Sequence, residues 1–350
     1  MEGEVQHLMV DWGLALASLL YCHGVGMFIA EGTTRFLALF PVICLFVCIP
    51  LNLSTMFLCG LTSFFISWLG SFKLILYAFG QGPLSSYPPL PLSHFISSAC
   101  LPIKIVRNQE NPSHQTTKKS PKDYAPRILL FIITMKAYGY KDYLHPWLTT
   151  SLYAYYLFFM LELLLAMTAS LARTIVGVQL EPQFDEPHHA TSVQNFWGKR
   201  WNLMVSSILR PTVYQPARAM FSHLIPERWV SVPAVFTTFL VSGVVHELIF
   251  YYLGRFTPTW EMTWFFIIQG IWVGIEIVIK KTMAQRFEPQ PFVATLLTLA
   301  FVMLTSFWLF FPPFLRLDPF DRSCREAMAF LGFFKNGQML SPNELVCPFI

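Results

Sequence analysis

Long apolar runs separated by short polar breaks extend along the whole chain. An apolar run of about 20 residues is long enough to cross a bilayer as a helix. The runs cover about 8–30, 36–53, 56–79, 128–140, 147–172, 232–253, 259–279 and 292–315. We therefore predict an all-α, polytopic membrane protein with about eight transmembrane helices. Because the breaks after the first two runs are short, the N-terminal runs are either three spans or two spans and a re-entrant segment.

The polar stretches are distributed unevenly in charge. The two long ones, 102–127 and 174–228, carry clusters of Lys and Arg, and Lys280-Lys281 ends the run 259–279. Since cytosolic loops carry an excess of basic residues, these stretches are assigned to the cytosol, and every basic cluster then falls on one side. No internal repeat is visible, so the repeat signature of many transporters is missing.

Composition supports a membrane protein and excludes some partners. Charged residues make up 13% of the chain and hydrophobic residues 54%, whereas a soluble domain has about 25% charged residues. The net charge of +4 does not indicate nucleic acid binding. The seven cysteines have no metal-type spacing, and we expect free thiols that pack as small hydrophobic groups. Cys347 begins a poor prenylation box, which we set aside.

The run FLVSGVVHELIFYY contains His246 and Glu247. An ionisable residue inside the membrane is by default a hypothesis of function. Ser242 and Gly243 lie one turn before His246 on the same helical face, which leaves room for a neighbouring helix or a substrate. Glu247 lies on another face, and the second histidine of a zinc protease motif is missing. The alternatives are a histidine bonded across helices for packing, or a proton relay of His246 and Glu247.

A second candidate is the block FWGKRWN, about forty residues upstream. Cations beside aromatic rings suit phosphate groups and stacked bases or acyl chains. A nucleotide-bearing acyl carrier matches both demands, and an interfacial anchor is the alternative. The predicted substrate-binding residues of the block are Phe196, Trp197, Lys199, Arg200 and Trp201, and it ends at Asn202.

Other polar clusters receive structural interpretations. A loop cluster could ligate a metal, but such clusters are more often solvated, and we predict no metal site; its members are Asp185, Glu186, His188 and His189. Glu162, Glu261 and Glu276 lie in or beside spans, and we expect each to have a structural partner. Motifs of serine hydrolases, P-loop proteins and dinucleotide-binding proteins are missing.

The stretches 182–216 and 239–252, with weaker similarity at 101–105, 258–270 and 307–316, resemble the membrane-bound O-acyltransferase (MBOAT) superfamily, specifically plant-type wax synthases. The resemblance implies one membrane-embedded domain over 1–350, an MBOAT-like bundle and a catalytic region at about 182–280. The essential histidine of the family corresponds to His246, and its upstream Asn or His position to Asn202. The neutral-lipid branch of the superfamily has the motif F-Y-x-D-W-W-N, and in this chain Lys199 and Arg200 replace its Asp and first Trp. The contacts that bind the acyl carrier in that branch therefore cannot be assigned to this chain.

The implied activity is transfer of an acyl group from acyl-CoA to a long-chain fatty alcohol, which forms a wax ester in the endoplasmic reticulum membrane. His246 acts as general base, since an apolar helix favours the neutral imidazole. Asn202 either donates to the oxyanion or orients His246. Acyl-CoA is a co-substrate and no cofactor is bound permanently. A sterol or diacylglycerol acceptor, an acetyl-CoA donor, and a proton-coupled transporter stay open, as does the oligomeric state.

Overall fold

The computed structural model describes residues 2–86, 89–102, 121–176, 183–283, 290–336 and 341–347. No strand is present in these ranges. The helices, numbered in chain order, are α1 (Glu2–Phe28), α2 (Thr33–Cys48), α3 (Met56–Thr62), α4 (Ser71–Ala78), α5 (Leu92–Cys100), α6 (Pro121–Tyr138), α7 (Pro146–Val176), α8 (Val193–Asn195), α9 (Leu203–Leu209), α10 (Gln215–Ser222), α11 (Ser231–Gly254), α12 (Glu261–Thr282), α13 (Pro291–Thr305), α14 (Phe311–Arg316) and α15 (Pro319–Asn336). π-Helical segments lie at Ser63–Gly70, Phe196–Arg200, Arg210–Tyr214 and Ser306–Phe310.

Seven helical stretches in the described residues are long and apolar enough to cross a membrane. They are Gly3–Phe28, Thr33–Asn52, Met56–Ala78, Pro146–Thr168, Ser231–Gly254, Glu261–Thr282 and Pro291–Arg316. The all-α polytopic prediction is confirmed, and the three N-terminal runs form three such stretches. The remaining predicted run, 128–140, lies in α6, whose 18 residues include Lys122, Asp123, Arg127 and Lys136. α6 is not among the candidate spans.

The chain divides into two compact units. The larger unit comprises Glu2–Cys100 and Phe184–Pro319, and the smaller unit comprises Leu101–Gln183 and Phe320–Ile350 together with Met1. Each unit is therefore built from separate stretches of sequence. The prediction of one domain over 1–350 stays a prediction.

Close packing of α11 against α12 forms the centre of the larger unit. A Cβ atom added at Gly243 would lie 2.9 Å from the Cα of Thr263, and one added at Gly270 would lie 2.9 Å from the Cβ of Phe239. Small residues let membrane helices approach closely. The contacts pair the middle of α11 with the start of α12, so the two helices are antiparallel. This pair carries His246 on one helix and its aromatic neighbour Phe266 on the other.

The C-terminal end of α11 is bound to the N-terminal helices of the same unit. The hydroxyl of Tyr252 donates to the backbone carbonyl of Val47 at 2.6 Å. The guanidinium of Arg255 donates at 2.8–3.0 Å to three backbone carbonyls, those of Pro50, Leu51 and Leu53. The Pro50 carbonyl also accepts from the N–H of Leu53 at 3.3 Å. The last carbonyls of a helix lack a full set of intrahelical partners, so Arg255 caps that end from a distant part of the chain.

In the smaller unit, α6 packs beside α7. Arg127 and Glu162 form an ion pair at 3.2 Å, which confirms the structural partner predicted for Glu162. Cys324 and Cys347 form a disulfide, so the prediction of free thiols is wrong for these two. The two cysteines are 23 residues apart in sequence, a spacing that gives no metal or framework pattern, and their Cα atoms lie 5.7 Å apart in the fold. The other five cysteines are not part of a disulfide in the described structure.

Candidate active site

His246 lies in the second half of α11 with one ring nitrogen committed to the backbone. Its Nδ1 is 2.7 Å from the carbonyl oxygen of Ser242. A carbonyl oxygen can only accept a hydrogen bond, so Nδ1 is the donor in this contact. The side chain is half-buried, and the described residues show no hydrogen bond to Nε2. In the neutral imidazole this contact selects the tautomer in which Nε2 carries the basic lone pair.

Aromatic rings surround this imidazole. Phe266 of α12 lies with its ring centroid 4.4 Å from that of His246, and Trp68 makes an edge contact at 5.4 Å. Trp68 is buried, with 4% of its surface exposed, and its indole N–H has no acceptor in the described part of the chain. A buried donor without a partner costs about 1–3 kcal/mol. Sequence reasoning missed Trp68, although a lone indole in an apolar run was a usable signal.

Trp68 lies in the π-helical segment Ser63–Gly70. π-Helical turns occur often at functional sites, because the extra residue changes which side chains face inward. Seven of the eight residues in this segment are buried. The segment therefore brings an indole from the N-terminal part of the chain against His246, more than 170 residues later in sequence.

Ser242 and Gly243, predicted to bind substrate, contribute mainly through the backbone. The Ser242 carbonyl holds the His246 ring. The space beside Gly243 is filled by Thr263, whose Cα and carbonyl oxygen would lie 2.9 and 3.2 Å from an added Cβ. Of the two alternatives for Gly243, a neighbouring helix or a substrate, the structure places a neighbouring helix there.

Glu247 points away from His246 toward the start of α12. Its carboxylate accepts from the backbone N–H of Trp260 at 2.8 Å and from that of Thr263 at 3.3 Å. The first N–H groups of a helix lack intrahelical partners and favour a negative charge. Glu247 therefore caps α12, and no bond of the described structure joins it to His246 in a proton relay.

One aromatic ring, that of Phe266, connects the upstream block with His246. Trp197 lies 5.8 Å from Phe266 by ring centroids, and Phe266 in turn contacts His246. The indole N–H of Trp197 donates to Gln269 at 3.0 Å, and Gln269, fully buried, donates to Thr305 at 2.8 Å. The two sequence candidates thus lie on one aromatic and polar network.

α12 holds the backbone of the block in place. The carboxylate of Glu276 accepts from the N–H groups of Val193 and Gln194, both at 2.9 Å. The ion pair of Glu261 with Arg316, at 2.6 Å, joins the start of α12 to the end of α14. The structural partners predicted for both glutamates are confirmed.

The side chains of the block have different surroundings. Phe196 is buried and stacks on Trp201 at 5.4 Å, so these rings pack against each other. Arg200 donates to Asn195 at 2.9 Å and to the backbone carbonyls of Asp185 and Glu186, which fixes the preceding loop. Lys199 is exposed, and its ammonium group has no partner in the described residues.

Asn202 has a left-handed backbone conformation, with φ of 39°, and it is the N-cap of α9. Its side-chain oxygen accepts from the N–H of Val205 at 3.4 Å. That contact orients the side-chain amide, since only the oxygen can accept. The NH₂ group is left as a donor, and no hydrogen bond between Asn202 and His246 is present in the described structure.

The loop cluster considered for a metal does not gather its ligands. His189 and Glu186 are 4.0 Å apart and exposed. No group of three His, Cys, Asp or Glu residues with metal-binding geometry occurs in the ranges that the structure describes.

Comparison with known proteins assigns the chain to a family. The model of the "Membrane bound O-acyl transferase family" matches residues 180–268, which include the upstream block and His246. The chain is 43% identical to "Acyl-CoA--sterol O-acyltransferase 1" of Arabidopsis thaliana, over 92% of this chain and 94% of that protein. It is 41% identical to "Probable long-chain-alcohol O-fatty-acyltransferase 3" of the same plant, over 97% and 98%.

A third relative is "Long-chain-alcohol O-fatty-acyltransferase" of Simmondsia chinensis, at 39% identity over 90% of this chain and 92% of that protein. All three similarities extend over nearly the full length of both proteins. They therefore include the membrane helices as well as the site. The chain belongs to the membrane bound O-acyl transferase family and is a multi-pass membrane acyltransferase.

Proposed function

We propose that this enzyme transfers a fatty acyl group from acyl-CoA to the hydroxyl of a long-chain alcohol, forming a wax ester, with His246 as general base. The observation that carries the proposal is the bond from Nδ1 of His246 to the Ser242 carbonyl. It leaves Nε2 as a proton acceptor in a ring of apolar groups. General base catalysis of this kind contributes about 10²–10⁴-fold to a rate.

In the proposed step, Nε2 removes the proton of the alcohol as its oxygen attacks the thioester carbon. The carbonyl becomes an oxyanion, collapse of the adduct breaks the carbon–sulfur bond, and the proton returns to the leaving thiolate. The alcohol is the direct nucleophile. The aromatic wall of Trp68 and Phe266 keeps water from competing with it.

Two groups are proposed as donors to the oxyanion. The amide NH₂ of Asn202 is oriented as a donor by the contact of its oxygen with Val205. The indole N–H of Trp68 is buried and has no acceptor among the described residues, and a substrate oxygen held against His246 would supply one. A donor aimed at the developing charge is worth about 10²–10³-fold.

The acyl donor is proposed to bind on the cytosolic side. Lys199 and Arg210 are exposed and carry charges that suit the phosphates of coenzyme A. The disulfide of Cys324 and Cys347 follows the last candidate span, on the side that the charge placement assigns to the lumen. Disulfides persist in the lumen of the endoplasmic reticulum, which supports that compartment.

A sterol is the second candidate acceptor. The observation that favours it is the 43% identity to a protein named as an acyl-CoA–sterol O-acyltransferase. The same base and donors would serve a sterol hydroxyl. A sterol and a long-chain alcohol require apolar spaces of different shape. A direct competition between these two acceptors decides which one the enzyme uses.

The test is expression in yeast that lacks its own neutral-lipid acyltransferases, followed by a microsomal assay with labelled palmitoyl-CoA. Hexadecanol, a plant sterol and diacylglycerol are offered together. We expect label in wax ester, and its loss in His246→Ala with the variant protein still inserted. Label in steryl ester that depends on His246 would replace the acceptor and keep the base.

A matched control distinguishes the base from general damage to α11. His223 lies on the exposed side of the polar stretch, so His223→Ala should retain activity at equal expression. Ester formation by His246→Ala at the wild-type rate would refute the assignment of the base. No ester from any acceptor, with both palmitoyl-CoA and acetyl-CoA, would refute the proposed reaction.

A further inference from the structure

An apolar groove runs between α11 and α12 on the outside of the larger unit. Its volume is about 470 Å³, and all its lining residues are apolar. Val232 and Phe236 form one wall, Val278 and Ile279 lie on the other, and the glycines Gly270 and Gly274 lie between. Ligand sites typically have about 300–1,000 Å³. The groove is thus large enough for a hydrocarbon chain.

The length of the groove matches one leaflet of a bilayer. Its lining on α12 extends from Gly270 to Ile279, which is about 14 Å at about 1.5 Å per residue. The hydrocarbon core of a bilayer is about 30 Å thick, so one leaflet contributes about half of that. The side chain of Phe239 packs against Gly270, the lining residue at the inner end of the groove.

Two cations are held together at the outer end of this groove. Arg228 donates to the backbone carbonyl of Lys281, and Lys281 donates to that of Arg228. Lys281 also donates to Ser231, next to the groove residue Val232, at 2.9 Å. The guanidinium of Arg228 lies over the ring of Trp229 at 4.9 Å. These bonds fix the positions of both charges without neutralising either.

The nearby acids are bonded elsewhere. Glu227 forms an ion pair with Arg218, and Glu276 accepts from backbone N–H groups of α8. No carboxylate pairs with Arg228 or Lys281 in the described residues. Two fixed like charges at the membrane surface repel each other and attract a shared anion. Basic pockets between membrane helices on the cytosolic side bind anionic lipid head groups.

We propose that this groove is a binding site for an anionic glycerophospholipid of the cytosolic leaflet. One acyl chain lies along Gly270 and Gly274, and the phosphate contacts Arg228 and Lys281. The occupant is distinct from the acyl-CoA substrate. A thioester at the outer end would lie near Ser231, fifteen residues from His246 on α11, or about 22 Å along the helix axis. The bound lipid therefore stabilises the helix pair that carries His246 and does not enter the reaction.

The test uses the full-length protein in mild detergent, with binding read by native mass spectrometry and by the apparent Tm. Dioleoyl phosphatidic acid is compared with dioleoyl phosphatidylcholine, which has the same chains and no net charge. We expect phosphatidic acid to bind more tightly and to raise Tm more. Equal binding of the two lipids would overturn the proposal.

Variants test each half of the site. Arg228→Gln and Lys281→Gln should each weaken phosphatidic acid binding about fivefold, while Lys281→Arg retains it and shows that the helix end still folds. Arg218→Gln is the charge-matched control and should leave binding unchanged. Gly274→Leu fills the groove and should abolish binding without a change of charge, whereas Leu296→Phe, on an exposed site of α13, should not.

A competition experiment shows whether the hydrocarbon chain in the groove belongs to a phospholipid or to acyl-CoA. Coenzyme A and palmitoyl-CoA are added to the lipid-bound protein. We expect neither to displace phosphatidic acid at concentrations that support turnover. Displacement by palmitoyl-CoA that depends on Arg228 and Lys281 would assign the groove to the substrate and overturn the proposal. Unchanged binding in the double variant Arg228→Gln, Lys281→Gln would also overturn it.

Discussion

Replacing Gly243 with Ala tests whether this residue serves helix packing or substrate binding. The added Cβ would lie 2.9 Å from the Cα of Thr263 and 3.2 Å from its carbonyl oxygen. Both are backbone atoms and cannot rotate away. To reach the 3.4 Å of an ordinary contact, α11 and α12 must separate locally by about half an ångström. The cap from Glu247 to the N–H of Thr263, already 3.3 Å long, would lengthen with it.

Overpacking of this kind costs about 1–3 kcal/mol. For a chain of this size we expect Gly243→Ala to lower the apparent Tm by about 2–12 °C, at about 2–4 °C per kcal/mol. The measurement is a thermal unfolding scan in mild detergent at one fixed scan rate, since membrane proteins often unfold irreversibly. Activity should fall as well, because Phe266 moves relative to His246.

Gly24→Ala is the matched control. Gly24 lies within α1, and a Cβ there would meet nothing within 4 Å. Alanine improves helix propensity by up to about 1 kcal/mol, so its Tm should stay equal or rise. If Gly243→Ala keeps the Tm of Gly24→Ala and changes only the KM for the acceptor, the space beside Gly243 belongs to substrate and the packing argument is wrong.

Three further predictions follow from single contacts. Trp68→Phe keeps a ring beside His246 and removes the unpaired N–H. The kcat should therefore fall about 100-fold, while Tm is not lowered. An unchanged kcat in the palmitoyl-CoA assay would contradict the role of Trp68 as a donor to the oxyanion. Glu247→Ala should lower Tm by an amount corresponding to about 0.5–2 kcal/mol of lost helix capping. Glu247→Gln should keep activity, and a Gln variant that is stable but inactive would favour a proton relay of His246 and Glu247 instead. Replacing Cys324 and Cys347 with Ser should destabilise the smaller unit by about 3 kcal/mol, read as faster proteolysis of that unit, and equal proteolysis would argue against the disulfide.

The long helices could be predicted from sequence because their cause is local. A run of apolar residues long enough to cross the bilayer must form a helix, since its backbone groups have no other partners in lipid. The bounds of α11 and α12 accordingly differ from the predicted runs by only one to three residues. His246 could also be selected as a candidate from the sequence, because its position in an apolar run is evident there.

The partners of these residues could not be predicted, because they come from distant parts of the chain. Glu247 was paired with His246 as a neighbour in sequence, yet its carboxylate caps α12. Trp68 meets His246 only through a π-helical turn that the apolar pattern does not show. The pairing of Cys324 with Cys347 likewise joins residues that are 23 positions apart in sequence. The local pattern of apolar residues therefore predicts the helices, whereas the contacts of the candidate site depend on packing between distant segments.

The division of the chain into interleaved stretches sets the order in which the larger unit can be assembled. Its first part ends at Cys100 and its second begins at Phe184, so 83 residues are synthesised between them. α11 is complete only at Gly254, 154 residues after Cys100. At about 5–20 residues per second, the first membrane helices therefore wait about 8–31 s for it. During that delay the carbonyls that Arg255 will cap and the surface that Tyr252 will cover are open to lipid or to chaperones. Biogenesis of this enzyme therefore includes an interval in which the first part of its larger unit is inserted but the second part is missing.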